Sequence, residues 1–163
     1  MQRFAPSGTP RNWDLYRAAV VDIRFAGRAV RVEPRPRGTT DGLFPVPGGS
    51  GVHVITAWNP WGRTVPEDVN ERAHRLLLGE VRRQRLASWP AVGGDAGGTH
   101  QEESLAVTGL GDDEARALGR RFGQDAVFAW TPSAWRVLAC GSDLVAVAGW
   151  AASAETLSRR GAL

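Results

Sequence analysis

Residues 51–62 read GVHVITAWNPWG, and the rest of the chain can be ordered around them. Val52, Val54 and Ile55 give a β-branched apolar run, which predicts a strand. Proline has no N–H and biases the residue before it away from helical backbone, so the strand must stop at about Trp58 and the chain must turn at Asn59-Pro60. Asn59 is therefore expected at a strand end, between Trp58 and Trp61.

Downstream, Pro66-Glu67-Asp68 has the proline and acids of a first helical turn, with Thr64 as N-cap, and a helix is expected to run to about Ala87. At 100° per residue Val69, Ala73, Leu76, Leu77 and Val81 share one side. Asn70, Glu80 and Gln84 fall on or beside that side, so they need hydrogen bonds or a cleft. Ser88 to Thr99, with its glycines, reads as a flexible loop. A strand over 102–108, a helix opened by Asp112, Asp113 and Glu114 and closed by Gly123, and strands at 126–130, 135–140 and 144–149 follow.

Upstream, Val21, Ile23 and Phe25 alternate with Asp22 and Arg24 and pair, through the turn at Gly27, with a second strand over 29–33. A short helical turn precedes them from Trp13, and the proline-rich stretch 34–51 reads as a long loop. The order β-β-β-α-β-α-β-β-β predicts an α+β or α/β fold, a single mixed sheet with two main helices packed on one face. Residues 102–130 would then form a right-handed parallel crossover. The expected organisation is a flexible arm over 1–12, one globular domain over 13–150 and a tail over 151–163 carrying a short helix.

With 163 residues and 42% hydrophobic content, the chain suits one domain. No apolar run nears a membrane span of roughly 18 residues, and the start lacks an apolar signal core. A single cysteine, Cys140, makes no internal disulfide. These features predict a soluble, cytoplasmic protein. All twenty basic residues are arginines, so a pI near 10.3 overstates a net charge of only +3, and tight nucleic-acid binding is not expected. Arginine without lysine, with abundant Ala, Gly and Pro, fits a GC-rich bacterial coding bias.

Among candidate sites, Glu103, Ser104 and Gln124 lie at adjoining strand starts, where a carboxylate, a hydroxyl and an amide could bind a polar ligand or simply cap helices and loops. Glu102 and Glu103 should point to opposite faces of their strand, which makes them a poor acid and base pair. Ser104 with His100 has no nucleophile elbow, and His53, His74 and His100 have no metal-ligand spacing. No glycine run fits a dinucleotide frame, and the absence of lysine excludes a P-loop. Trp58, Trp61 and Trp89 could stack on a flat ligand or seal the core. Arg82, Arg83 and Arg85 fit a solvated helix C-terminus or a phosphate site.

The strings VITAWNP (54–60), EESLAVTGL (102–110) and FGQDAVFAW (122–130), with Asn70 in the helix between, resemble the bacterial domain-of-unknown-function family 3293 over residues 52–140. The resemblance carries over no catalytic residue and names no reaction. It does favour Thr56, Asn59, Asn70, Glu103, Ser104 and Gln124 as ligand-binding candidates, since all fall within its motifs, and Trp58 or Trp61 would supply a stacking wall beside them. Two functions follow: binding of a small polar ligand or nucleotide at the strand ends, or an accessory module that meets a protein or nucleic acid through arginines and tryptophans. No metal and no membrane enter either reading.

Overall fold

The computed structural model describes residues 9–156. Nine strands and three α-helices follow in the order α1 (Trp13–Ala18), β1 (Val20–Phe25), β2 (Arg28–Arg35), β3 (Thr40–Asp41), β4 (Val52–Thr56), α2 (Glu67–Arg83), β5 (Ser88–Gly94), β6 (Gln101–Thr108), α3 (Asp112–Arg121), β7 (Ala126–Thr131), β8 (Ala134–Ala139) and β9 (Val145–Thr156). The strands neighbour one another as β2-β1-β5-β6-β4-β7-β8-β9, and β9 pairs back onto β2. Each of these eight contacts is antiparallel. The result is a closed eight-stranded antiparallel barrel, with β3 added in parallel to β9.

Closure overturns the expected open mixed sheet with two helices packed on one face. The predicted parallel neighbours β6 and β7 do run the same way, but β4 lies between them, antiparallel to both. The expected loop over 88–99 contains β5, which pairs with both β1 and β6. Its proline is tolerated because the register with β1 ends at Ile23↔Ala91, one residue short of Pro90. The expected loop over 34–51 contributes the end of β2 and all of β3. From the expected tail, residues 151–156 belong to β9 and supply the pairs from Glu33↔Ala151 to Arg28↔Thr156. The rest of the tail, and the arm over 1–8, lie outside the described residues.

Inward-facing side chains fill the lumen: Val21 and Ile23 of β1, Val32 of β2, Val52 and Val54 of β4, Phe128 and Trp130 of β7, Trp135 of β8 and Trp150 of β9. Trp130 meets Trp150 edge to face at 5.3 Å, and Phe128 stacks on Trp135 at 5.2 Å. An eight-stranded barrel is just wide enough for such filling. A second core lies outside the wall, where Ile55, Leu105, Val107, Val127 and Leu138 are covered by Leu77 and Val81 of α2 and Ala115 and Leu118 of α3. β4 and β7 are thus buried on both faces, which is why residues 52–56 read as an almost unbroken apolar run rather than an alternating one.

α2 turns differently from its predicted stripe. Asn70, Leu77 and Val81 face inward, while Val69 and Leu76 are exposed. α3 ends as expected at Gly123 (φ 71°), where Gln124 N–H donates to Gly119 O at 2.9 Å and Gly123 N–H to Arg120 O at 3.0 Å. This paired closure of a helix end delivers Gln124 to the barrel rim.

Candidate site at the barrel end

Because β4 runs against β6 and β7, its last residues stand beside the first residues of both. Thr56 ends β4; its hydroxyl donates to Glu103 O at 2.7 Å and accepts from Trp58 N–H at 3.0 Å. That fixes the turn leading to Asn59. Asn59 then takes left-handed backbone (φ 48°, ψ 56°) immediately before Pro60, and Trp61 is left-handed as well (φ 62°). Two non-glycine residues in that region within three positions are an unusual concentration of strain.

Hydrogen bonds hold the turn. Asn59 N–H donates to Asn70 Oδ1 at 2.8 Å, Asn70 Nδ2 donates back to Asn59 Oδ1 at 3.0 Å, and Val65 N–H reaches the same oxygen at 3.2 Å. The Asn59 amide nitrogen is left to donate to Glu102 Oε1 at 3.1 Å. His100 Nε2 lies 3.2 Å from that oxygen, and Oε2 of Glu102 has no hydrogen-bond partner among the described residues. Gln124, buried, donates from Nε2 to the carbonyls of Trp58 (3.0 Å) and Phe122 (3.2 Å). Ser104, also buried, donates to Glu102 O at 3.2 Å.

The structure therefore gathers Thr56, Trp58, Asn59, Asn70, Ser104 and Gln124 at one end of the barrel, mostly bonded to one another or to backbone. Glu103 departs. Only its carbonyl joins the network, while its side chain lies in an outer groove. Glu102 takes the place expected of Glu103, since it shares the lumen side with Ser104 and Ala106, whereas Glu103 shares the outer side with Leu105 and Val107. The alternation was legible; which side was the lumen was not, because both sides are apolar.

Three further groups gather here with Glu102. Tyr16 of α1 packs toward Phe128 with ring centroids 6.3 Å apart, and burial, reinforced by the Asp125 and Glu102 carboxylates, pushes its hydroxyl pKa up. Burial also raises the Asp125 carboxyl above its ordinary range, opposed by the Arg11 guanidinium. Arg11 itself donates to Trp61 O at 2.9 Å. Tyr16, Glu102, Asp125 and Arg11 thus act on one another in a small, partly desolvated space beside the strained turn. With His100, they make a rim of mixed acceptors and donors. Arg11 and Tyr16 lie upstream of the resembling stretch 52–140 and carry no motif of their own, so nothing in the sequence tied them to this rim.

The three histidines go to separate places: His100 to this rim, His74 to the outer groove, and His53 beneath α3, where Nε2 lies 2.8 Å from Asp112 Oδ1. Arg136 grips the same carboxylate through two hydrogen bonds of 2.6 and 3.2 Å. Of the tryptophans proposed for stacking, Trp89 packs on Phe25 at 5.1 Å and Trp58 is half-buried. Trp61 is 46% exposed. Arg83 and Arg121 are both tied to Glu80. No helix among the described residues is long and apolar enough to cross a membrane.

Residues 55–127 match the model of the family described as "Protein of unknown function (DUF3293)". The matched span is shorter than the 52–140 suggested by the motifs, and it holds Asn59, Asn70, Glu102 and Gln124. No curated protein and no solved structure matches the chain.

Proposed function

We propose that the chain binds a small polar ligand at this barrel end, with the Glu102 carboxylate accepting hydrogen bonds from an amine, an amide or the amino edge of a base. The observation that carries the reading is the strained Asn59 turn. Left-handed backbone at a non-glycine residue costs on the order of 1–3 kcal/mol. Here it aims one amide N–H at one oxygen of Glu102 and leaves the other oxygen uncommitted among the described residues. Glu102 keeps its side chain 22% exposed, so it is held and yet reachable.

The alternative, an accessory module using an arginine and tryptophan surface, has less support. Trp61 is the tryptophan with a largely open face, and Arg83, Arg121 and Arg136 are spent on Glu80 and Asp112.

Thermal-shift screening with amines, amino acids and nucleosides tests the proposal. A ligand at about 100 times its Kd stabilises by roughly 2.7 kcal/mol, which for a domain of this size is a rise of about 5–10 °C. Glu102→Gln should abolish the rise while melting near the parent temperature. No shift from any compound, or an equal shift in Glu102→Gln, overturns the assignment.

A further inference from the structure

A separate concavity runs along the outside of the barrel, at the foot of α2. It is a groove of about 790 Å³, floored by β1, β2, β5, β6 and β9 and walled at one side by His74 of α2. That volume lies in the range of small-molecule sites, about 300–1,000 Å³.

Its charges are not all spent. Arg31 is tied to Asp22 at 3.7 Å and Glu33 at 3.3 Å, and donates to Ala96 O at 3.0 Å. Arg24, Glu103 and Glu155 also line the groove, and among the described residues their side chains have no hydrogen bond or ion pair. His74 adds a buried Nδ1 without a partner. The bland account is a solvated outer sheet face with scattered charges. Arg24 and Glu103 are both exposed, and the cross-strand neighbour of Arg24 on β2 is Ala29.

Register places the free charges. Asp22, Val92 and Glu103 are partners across β1, β5 and β6, so Glu103 lies two strands from β1 and two residues along from Arg24. Strand spacing and rise put the two Cα atoms about 12 Å apart. Side chains standing off the sheet keep their charged ends near that separation, and a hydrogen bond of about 3 Å at each end leaves about 6 Å, roughly the span of two extended residues. Glu155 lies on the opposite flank of Arg24, beyond Ala29, away from the helix wall. The half of the groove nearer α2, which packs on β6, is therefore the half between Arg24 and Glu103.

We propose that this outer groove binds a zwitterion of the short-peptide class, with the ligand carboxylate on Arg24 and its ammonium on Glu103. The site is distinct from the barrel end and does not depend on Glu102.

Titration calorimetry with the full chain and three probes tests it: dialanine, N-acetyl-dialanine, which lacks the ammonium, and dialanine amide, which lacks the carboxylate. Dialanine should bind at least tenfold more tightly than either blocked form. Arg24→Gln should erase the preference over the amide and Glu103→Gln the preference over the acetylated form, both read in a Glu102→Gln background so that an ammonium held at the barrel end does not contribute. Equal binding of the three probes, no binding of any at millimolar concentration, or preferences that survive both groove variants would overturn the proposal. Because the barrel-end reading is scored on Glu102→Gln, the two can fail independently.

Discussion

Asn59 carries two tasks that a substitution can separate. Its Oδ1 collects Val65 N–H and Asn70 Nδ2, and its Nδ2 serves Glu102. Asn59→Asp keeps the acceptor and replaces the donor by a second carboxylate facing Glu102. That variant should melt below the parent at pH 7 and regain most of the difference near pH 4, once one carboxyl of the pair is protonated. Asn59→Ala loses every side-chain bond while retaining the backbone strain, and should cost about 1–3 kcal/mol at either pH. Parallel melts at the two pH values check both, and a pH-independent loss in Asn59→Asp would show that the contact with Glu102 matters little. His53 offers a second residue-level test. Burial lowers its pKa, with the Asp112 contact and charge opposing. Its neutral form is therefore favoured in the fold, so above the unfolded value of about 6.5 it contributes nothing, and below it the unfolded chain gains a proton that the fold resists. Stability should fall as pH drops from 7 toward 5, with a shallower slope in His53→Gln. Asp112, held at about 2 chiefly by the Arg136 hydrogen bonds, acts lower: its contribution persists above about 3.8 and is lost toward 2. Equal slopes in parent and His53→Gln would remove His53 as the cause.

At the scale of the element, β5 shows what the sequence hides. Ser88–Gly94 contains a proline and two glycines, the composition of a loop, yet it is the strand that joins β1 to β6. Gly94 answers to close approach: a Cβ there would fall 2.0 Å from His100 O. That contact is long-range in cause and leaves no local period. Gly94→Ala should therefore force the 94–101 connection open and shift His100 and Glu102 with it. We expect a loss of about 1–3 kcal/mol, the usual cost of overpacking, together with weaker ligand binding at the barrel end. A melt and a titration on the same variant check this, and unchanged values for both would mean that the connection yields without cost. α2 shows the opposite case. Its polar residues at 70, 80 and 84 were legible as misfits on the apolar side, and all three prove to be engaged: Asn70 in the Asn59 network, and Glu80 with Gln84, Arg83 and Arg121. The exact buried line was not legible, because it runs through the polar Asn70, bonded to Asn59, together with Leu77 and Val81, while the apolar Leu76 is 64% exposed.

At the scale of the molecule, individual strands and both long helices could be read from local periodicity, but closure could not, because it depends on β2 finding β9 across more than a hundred residues. The β9 sequence conceals its part: VAVAGWAASAET has alanines on both faces, so the alternation that marks a half-buried strand fades after Trp150. Small residues suit a seam. Val30 and Val32 face the lumen opposite Ala154 and Ala152, where bulk is already supplied by Trp130, Trp135 and Trp150. The seam consists of eight register pairs, from Arg35↔Gly149 to Arg28↔Thr156, and those formed by residues 151–156 are most of them. A chain ended at Trp150 keeps every strand identified from periodicity and loses the seam. It should expose β2 as a bare edge, lose amide protection at Val30 and Val32, and associate through that edge or unfold below the parent temperature. Hydrogen exchange and sedimentation of the shortened chain decide the matter. A monomer that melts like the parent would mean that the sheet stands open without cost, and that closure is not what holds the barrel together.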